Sequence, residues 1–127
     1  MDFKQTLQDL LEATQKRDLD RLLSIMPIDE EVSLILPNGM FLRGRSTFIN
    51  LNAAWFADPD WQMDVKILRT IETAEMGFAL MLVDYRDATL GAEPYAKQHL
   101  FSIVCTKKDG AWHIVHEQNT IAQEAAS

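Results

Sequence analysis

A histidine and an aspartate are the residues of this sequence best suited to acid–base chemistry. The histidine, His116, lies in segment 111–119, whose composition is typical of a β-strand. Alternation along this strand gives one face two large apolar groups followed by two hydrogen-bonding ones: Trp112, Ile114, His116 and Gln118. The opposite face carries His113, Val115, Glu117 and Asn119. We expect the first face to line a cavity, where His116 would exchange protons because imidazole titrates near neutral pH.

Asp84 is the predicted catalytic partner of His116. It lies at the end of an apolar strand, 76–87, on the same face as Arg86. A carboxylate buried there is costly without a partner, which either a histidine or Arg86 would supply. Two interpretations stay open: Asp84 orients the imidazole of a base, or it forms an ion pair with Arg86 while His116 only binds a ligand.

Four side chains are predicted to contact a ligand directly: Trp55, Tyr85, His99 and Gln118. The aromatic residues would supply apolar walls, and the amide would supply a hydrogen bond. The position of His99 depends on the turn at Asp109-Gly110. A two-residue turn puts Ile103 opposite His116 and His99 on the cavity face. A three-residue loop with a bulge would instead turn His99 outward.

Composition and charge exclude several classes of function. The chain has 127 residues and a formal net charge of −7, which argues against nucleic acid or an anionic membrane as a partner. Its histidines and its single cysteine lack metal-site spacing, and no nucleotide-binding or serine-hydrolase motif occurs, so we expect no metal and no cofactor. Cys105 has no partner for an internal disulfide, and no apolar run could span a bilayer, so we expect a cytoplasmic protein.

The elements that would position these residues follow from hydrophobic periodicity. Two N-terminal helices are predicted, with Asp2 and Asp18 as caps, then a hairpin that turns at Asn38-Gly39. A third helix ends at Asp58-Pro59. Four long strands follow, at 61–67, 76–87, 95–106 and 111–119. We therefore predict one α+β domain, 1–127, in which a curved, mainly antiparallel sheet forms a cone and three helices cover its concave face.

This element order and two segments, 55–61 (WFADPDW) and 109–120 (DGAWHIVHEQNT), resemble the SnoaL-like branch of the nuclear transport factor 2-like superfamily. The resemblance covers essentially the whole chain. It implies a cone-shaped α+β barrel that associates as a homodimer through its sheet. It does not select a chemistry, because one fold supports many functions.

Three functions are consistent with these observations. The first is binding of a small apolar or aromatic ligand in the cone. The second is a cofactor-independent isomerase, cyclase or dehydratase that uses the pair of His116 and Asp84. The third is a protein association module, which predicts a filled cone and an exposed apolar patch.

Overall fold

The computed structural model describes residues 2–88 and 94–123, which form three helices and six strands. The N-terminal half contains α1 (Phe3–Gln15), α2 (Leu19–Ile25), β1 (Ile28–Ile35), β2 (Phe41–Arg43) and α3 (Arg45–Phe56). The long strands follow as β3 (Trp61–Glu72), β4 (Met76–Asp87), β5 (Tyr95–Lys108) and β6 (Ala111–Ile121). The predicted α+β fold and element order are confirmed. None of the helices in this part of the chain is long and apolar enough to cross a membrane.

Aspartate side chains begin the first two helices, as predicted. The Asp2 carboxylate accepts a hydrogen bond of 2.8 Å from the backbone N–H of Gln5. The Asp18 carboxylate accepts one of 3.1 Å from the N–H of Arg21. Both bonds satisfy donors that have no partner within the helix. From this start, α1 buries an apolar stripe in the core: Phe3, Leu7, Leu10 and Ala13.

The strands form one mixed sheet in the order β2-β1-β6-β5-β4-β3. The antiparallel run from β3 to β6 agrees with the prediction. The parallel pairing of β1 with β6, with Ser33 opposite His116, was not predicted. Nothing local in the sequence specifies a pairing between segments from opposite halves of the chain.

A two-residue turn joins β5 to β6. Asp109 and Gly110 both have positive φ, at 52° and 78°. This is the conformation that a tight hairpin turn with matching twist requires. Lys108 consequently lies opposite Ala111, which is the first of the two alternatives that the sequence left open.

A β-bulge interrupts β6 a few residues beyond the turn. Cys105 of β5 pairs with Ile114, but its neighbour Val104 pairs with His116. Val115 is therefore an extra residue on β6 with no counterpart on β5. One extra residue reverses which side chains face each side of the strand from that point onward.

The ring of Phe3 closes one end of the core. It meets the ring of Trp112 edge-on, with 5.2 Å between centroids, and lies directly on the backbone of Gly77. A Cβ atom at position 77 would come within 2.6 Å of the Phe3 ring, so glycine is required for this approach. The contact ties α1 to β4 and β6.

Candidate functional site

A cavity of about 490 Å³ lies between the concave face of the sheet and the helices. Aliphatic and aromatic side chains form most of its wall, among them Leu7, Leu10, Val65, Met81, Val83 and Phe101. The polar part of the wall includes Tyr85, Tyr95, His99, Glu117 and Asn119. This volume and this mixture of many apolar and few polar groups are typical of small-molecule sites.

The bulge in β6 decides which of its side chains reach the cavity. Beyond Val115, Glu117 and Asn119 line the cavity, whereas His116 and Gln118 lie on the outer face. The predicted cavity position of His116 and Gln118 is therefore wrong, because it depended on unbroken alternation along the strand. On the outer face, His116 Nδ1 lies 2.7 Å from Ser33 Oγ.

Asp84 also lies outside the cavity. On β4 the cavity is lined by Val83 and Tyr85, so alternation turns Asp84 to the other face, where its side chain is 49% exposed. Its carboxylate lies 3.8 Å from the guanidinium of Arg86, which is the ion pair of the second interpretation. A surface ion pair of this kind contributes little to stability.

Asp84 and His116 do not form an acid–base pair. Asp84 lies opposite Gln98 of β5, and His116 lies opposite Val104 of the same strand. These two β5 positions are roughly 20 Å apart at the usual rise of a strand. The predicted pair therefore has no geometry for proton transfer.

Glu117 is the ionisable group that the cavity does contain. Its carboxyl group has no hydrogen-bonding or ionic partner among residues 2–88 and 94–123. The residue is half-buried, and it lines the cavity. Burial raises the pKa of Glu117 to about 8, because an apolar environment disfavours the charged form. At neutral pH the group is mainly the uncharged acid.

His99 lies in the middle of a hydrogen-bonded chain on the cavity wall. Its ring is buried, with 6% of the residue exposed. Its Nε2 atom is 2.8 Å from the hydroxyl of Tyr95, and its Nδ1 atom is 2.9 Å from Oδ1 of Asn119. A carbonyl oxygen only accepts, so the Nδ1 atom carries a proton, and in the neutral ring the Tyr95 hydroxyl donates to Nε2. Both nitrogens of His99 are thus engaged.

Aromatic rings form the wall at one end of the cavity. The Trp55 indole N–H donates a hydrogen bond of 2.8 Å to the hydroxyl oxygen of Tyr85. The Trp55 ring stacks on Trp61, with centroids 4.4 Å apart, and Tyr85 meets the ring of His99 edge-on at 6.1 Å. Burial raises the pKa of Tyr85, so its hydroxyl remains protonated at neutral pH.

Three of the four residues predicted to contact a ligand line the cavity, namely Trp55, Tyr85 and His99. Sequence reasoning missed Glu117 and Asn119, since strand parity assigned them to the outer face. No signal in the sequence marks Val115 as a bulge. Within residues 2–88 and 94–123, no group of three or more His, Cys, Asp or Glu side chains is arranged to hold a metal ion.

Comparisons with known proteins agree with this architecture. The sequence profile of a family described as the SnoaL-like domain matches residues 4–123. A ketosteroid isomerase-like protein from Erwinia carotovora atroseptica has 12% identity and a TM-score of 0.74, over 95% of this chain and 94% of that one. A nuclear transport factor 2-like superfamily protein from Salmonella enterica serovar Typhimurium has 16% identity and a TM-score of 0.74, over 96% and 89%.

A third similar structure is the association domain of CaMKII from C. elegans. It has 21% identity and a TM-score of 0.67, over 94% of this chain and 92% of that one. No curated protein matches the sequence significantly. At these identities the solved structures establish the fold and leave the chemistry open.

Proposed function

This chain belongs to the family of SnoaL-like domains, and we propose that it binds a small, largely apolar molecule inside its cone. The observation that carries the proposal is the cavity of about 490 Å³, with an apolar wall and few polar groups. A flat molecule is favoured, because Trp55 and Tyr85 contribute aromatic rings to the wall. An open cavity also argues against a module that serves association alone, for which a filled cone is expected.

The test uses an uncharged fluorescent probe, N-phenyl-1-naphthylamine, whose emission rises in apolar surroundings. Val65 lines the cavity, and its neighbour Lys66 points outward on the same strand. We expect the wild type and Lys66→Trp to bind the probe equally, and Val65→Trp to lose binding because its indole would fill the cavity. Equal binding by both variants would mean that the probe binds elsewhere on the protein.

A second candidate function, proton transfer without a cofactor, is favoured by Glu117. A carboxyl group in an apolar cavity, with its pKa raised to about 8, is suited to move a proton to and from carbon near neutral pH. Isomerases, cyclases and dehydratases all need such a step. Glu117 thus takes the place that the sequence assigned to His116 and Asp84.

Solvent deuterium exchange tests this activity. The methyl protons of 2-acetylnaphthalene are acidified by the adjacent carbonyl, so a base in the cavity would accelerate their exchange in D₂O. We expect the rate to rise with pD as Glu117 ionises, and to fall at least a hundredfold in Glu117→Gln. A matched substitution of an exposed acid, Glu31→Gln, should leave the rate unchanged. Exchange that is equally fast in Glu117→Gln would remove the proposed role of Glu117.

We further propose that two copies associate through the outer face of the sheet. Apolar residues on the outward side of β4 and β5 are only half-buried in the single chain: Phe78, Leu80, Leu82 and Val104. An apolar sheet face is a typical surface for association. The similar fold of an association domain supports this assignment.

Light scattering coupled to size-exclusion chromatography tests the association. We expect the wild type to have the mass of two chains, and Leu82→Arg to have the mass of one, because a charge on the apolar face cannot be buried without cost. Gln8→Arg, on the exposed side of α1, should behave as the wild type. A monomeric wild type would contradict the proposal.

A further inference from the structure

A series of hydrogen bonds runs along the cavity wall from Tyr95 through His99 to Asn119. Because Asn119 Oδ1 accepts from His99 at 2.9 Å, the amide of Asn119 has a fixed orientation. Its Nδ2 group has no hydrogen-bonding partner among residues 2–88 and 94–123. Asn119 lines the cavity, so this amide offers two N–H donors to a bound molecule.

Its place between Tyr95 and Asn119 in these hydrogen bonds makes His99 a positioning residue. Tyr95 donates to Nε2 at 2.8 Å, so the proton of His99 stays on Nδ1 and points at Asn119. A ring held at both nitrogens cannot leave its place without breaking two hydrogen bonds. The buried histidine therefore aims the amide and has no free nitrogen with which to act as a base.

The charges around the cavity narrow the class of ligand. No lysine or arginine lies among the cavity-lining residues of the described ranges, so a carboxylate or phosphate would enter without a counter-ion. The unpartnered N–H donors of Asn119 favour an acceptor atom on the ligand. An uncharged oxygen acceptor on an otherwise apolar molecule meets both conditions, and a carbonyl group is the simplest example.

We propose that Asn119, aimed by His99 and Tyr95, determines ligand specificity, and that it selects an uncharged carbonyl compound whose oxygen accepts a hydrogen bond from its Nδ2 group. The inference rests on the proposed binding of a small apolar molecule in the cavity. It adds the chemical class of that molecule and the side chain that recognises it. Glu117 lies two residues from Asn119 on the same face of β6, so a bound carbonyl would be near the acid.

The test compares two probes of nearly equal shape, 2-acetylnaphthalene and 2-isopropenylnaphthalene, in which C=CH₂ replaces C=O. Asn119→Asp keeps an oxygen for His99 and removes the amide donor. Gln118→Leu is the matched control, because it removes an amide from the outer face of the same strand. We expect Asn119→Asp to weaken ketone binding about tenfold, the effect of one hydrogen bond. The affinity of Asn119→Asp for the alkene should equal that of the wild type. Gln118→Leu should bind both the ketone and the alkene as the wild type does.

Infrared spectroscopy of the ¹³C-labelled ketone gives a second readout. We expect a carbonyl band at lower frequency in the wild type than in Asn119→Asp, and an intermediate band in Tyr95→Phe, which loses only the aiming bond. Asn119→Leu also removes the amide donor and is the second variant to use if the aspartate disturbs folding. The expected loss of ketone affinity is the same in both variants.

Four outcomes are decisive. If neither probe binds, the proposed binding of flat apolar molecules fails, and this inference fails with it. If both probes bind equally to the wild type and to Asn119→Asp, binding stands and the selective role of Asn119 is overturned. If Tyr85→Phe removes the preference and Asn119→Asp does not, Tyr85 is the donor and the inference is also overturned. If the wild type binds 2-naphthol, whose hydroxyl donates a hydrogen bond, more tightly than the ketone, Asn119 presents its oxygen to the ligand. That result would also contradict the inference.

Discussion

Val104 of β5 lies opposite His116 of β6, one position away from the register that the two-residue turn alone would produce. Without the bulge at Val115, His116 would have faced the cavity and Glu117 the outer surface. With it, an uncharged acid replaces an imidazole as the titratable group of β6 inside the cone. The stability of the protein should therefore depend on pH through Glu117.

The first prediction concerns that dependence. The pKa of Glu117 is about 8 in the folded state, well above the value of about 4.3 in an unfolded chain. Between these values the folded state holds a proton that the unfolded state has lost, so the free energy of unfolding falls as pH rises through this window. The total loss is on the order of 5 kcal/mol, and it is complete above the folded pKa.

Urea unfolding between pH 5 and pH 9 measures this loss. Glu117→Gln should remove most of the decline, since an amide does not ionise. Glu31→Gln, an exposed substitution, should preserve it. A decline of the same size in Glu117→Gln would place its origin in other groups.

The second prediction concerns the contact between Phe3 and Gly77. A Cβ at position 77 would lie 2.6 Å from the Phe3 ring, so Gly77→Ala should destabilise the protein by about 1–3 kcal/mol through overpacking. Phe3→Leu alone should also destabilise it, because it leaves a gap beside Trp112. In the double variant the methyl group occupies that gap. The double variant should therefore lose less stability than the sum of the losses in the two single variants. Strict additivity in chemical denaturation would mean that the two sites do not interact.

The third prediction concerns the thiol of Cys105. The residue is fully buried in β5, and burial raises its pKa to about 12. The reactive thiolate is thus nearly absent at pH 8 in the folded protein. Reaction with a disulfide reagent should be negligible until urea unfolds the chain, and its rate should then follow the unfolded fraction. Rapid modification of the folded protein would contradict this burial.

The fourth prediction concerns Arg17, which holds the turn between α3 and β3. Its guanidinium lies 4.0 Å from the centre of the Trp61 ring and donates to the backbone oxygens of Asp58 and Trp61. Lysine keeps the charge but lacks the planar fork. Arg17→Lys should cost about 1–2 kcal/mol of stability. Arg21→Lys, which changes only a surface ion pair with Glu12, should cost less than about 0.5 kcal/mol.

The sequence was sufficient for the elements and insufficient for the register of β6 and for its parallel pairing with β1. Local signals predict the caps at Asp2 and Asp18 and the turn at Asp109-Gly110, since each acts over a few residues. The bulge at Val115 has no such signal, because a valine fits either a regular strand or a bulge. Its position depends on packing against both β5 and β1. That single residue exchanged the predicted His116 and Gln118 for Glu117 and Asn119 in the cavity.

The parallel pairing of β1 with β6 also affects how the protein is made. β6 carries the acid and the amide of the cavity, and it is the last of the six described strands to leave the ribosome. Until it emerges, β1 lacks its neighbour and the cavity lacks the side chains of Glu117 and Asn119. The ability to take up a ligand should thus arise only after β6 has emerged, and a chain cut short before 111 would have none.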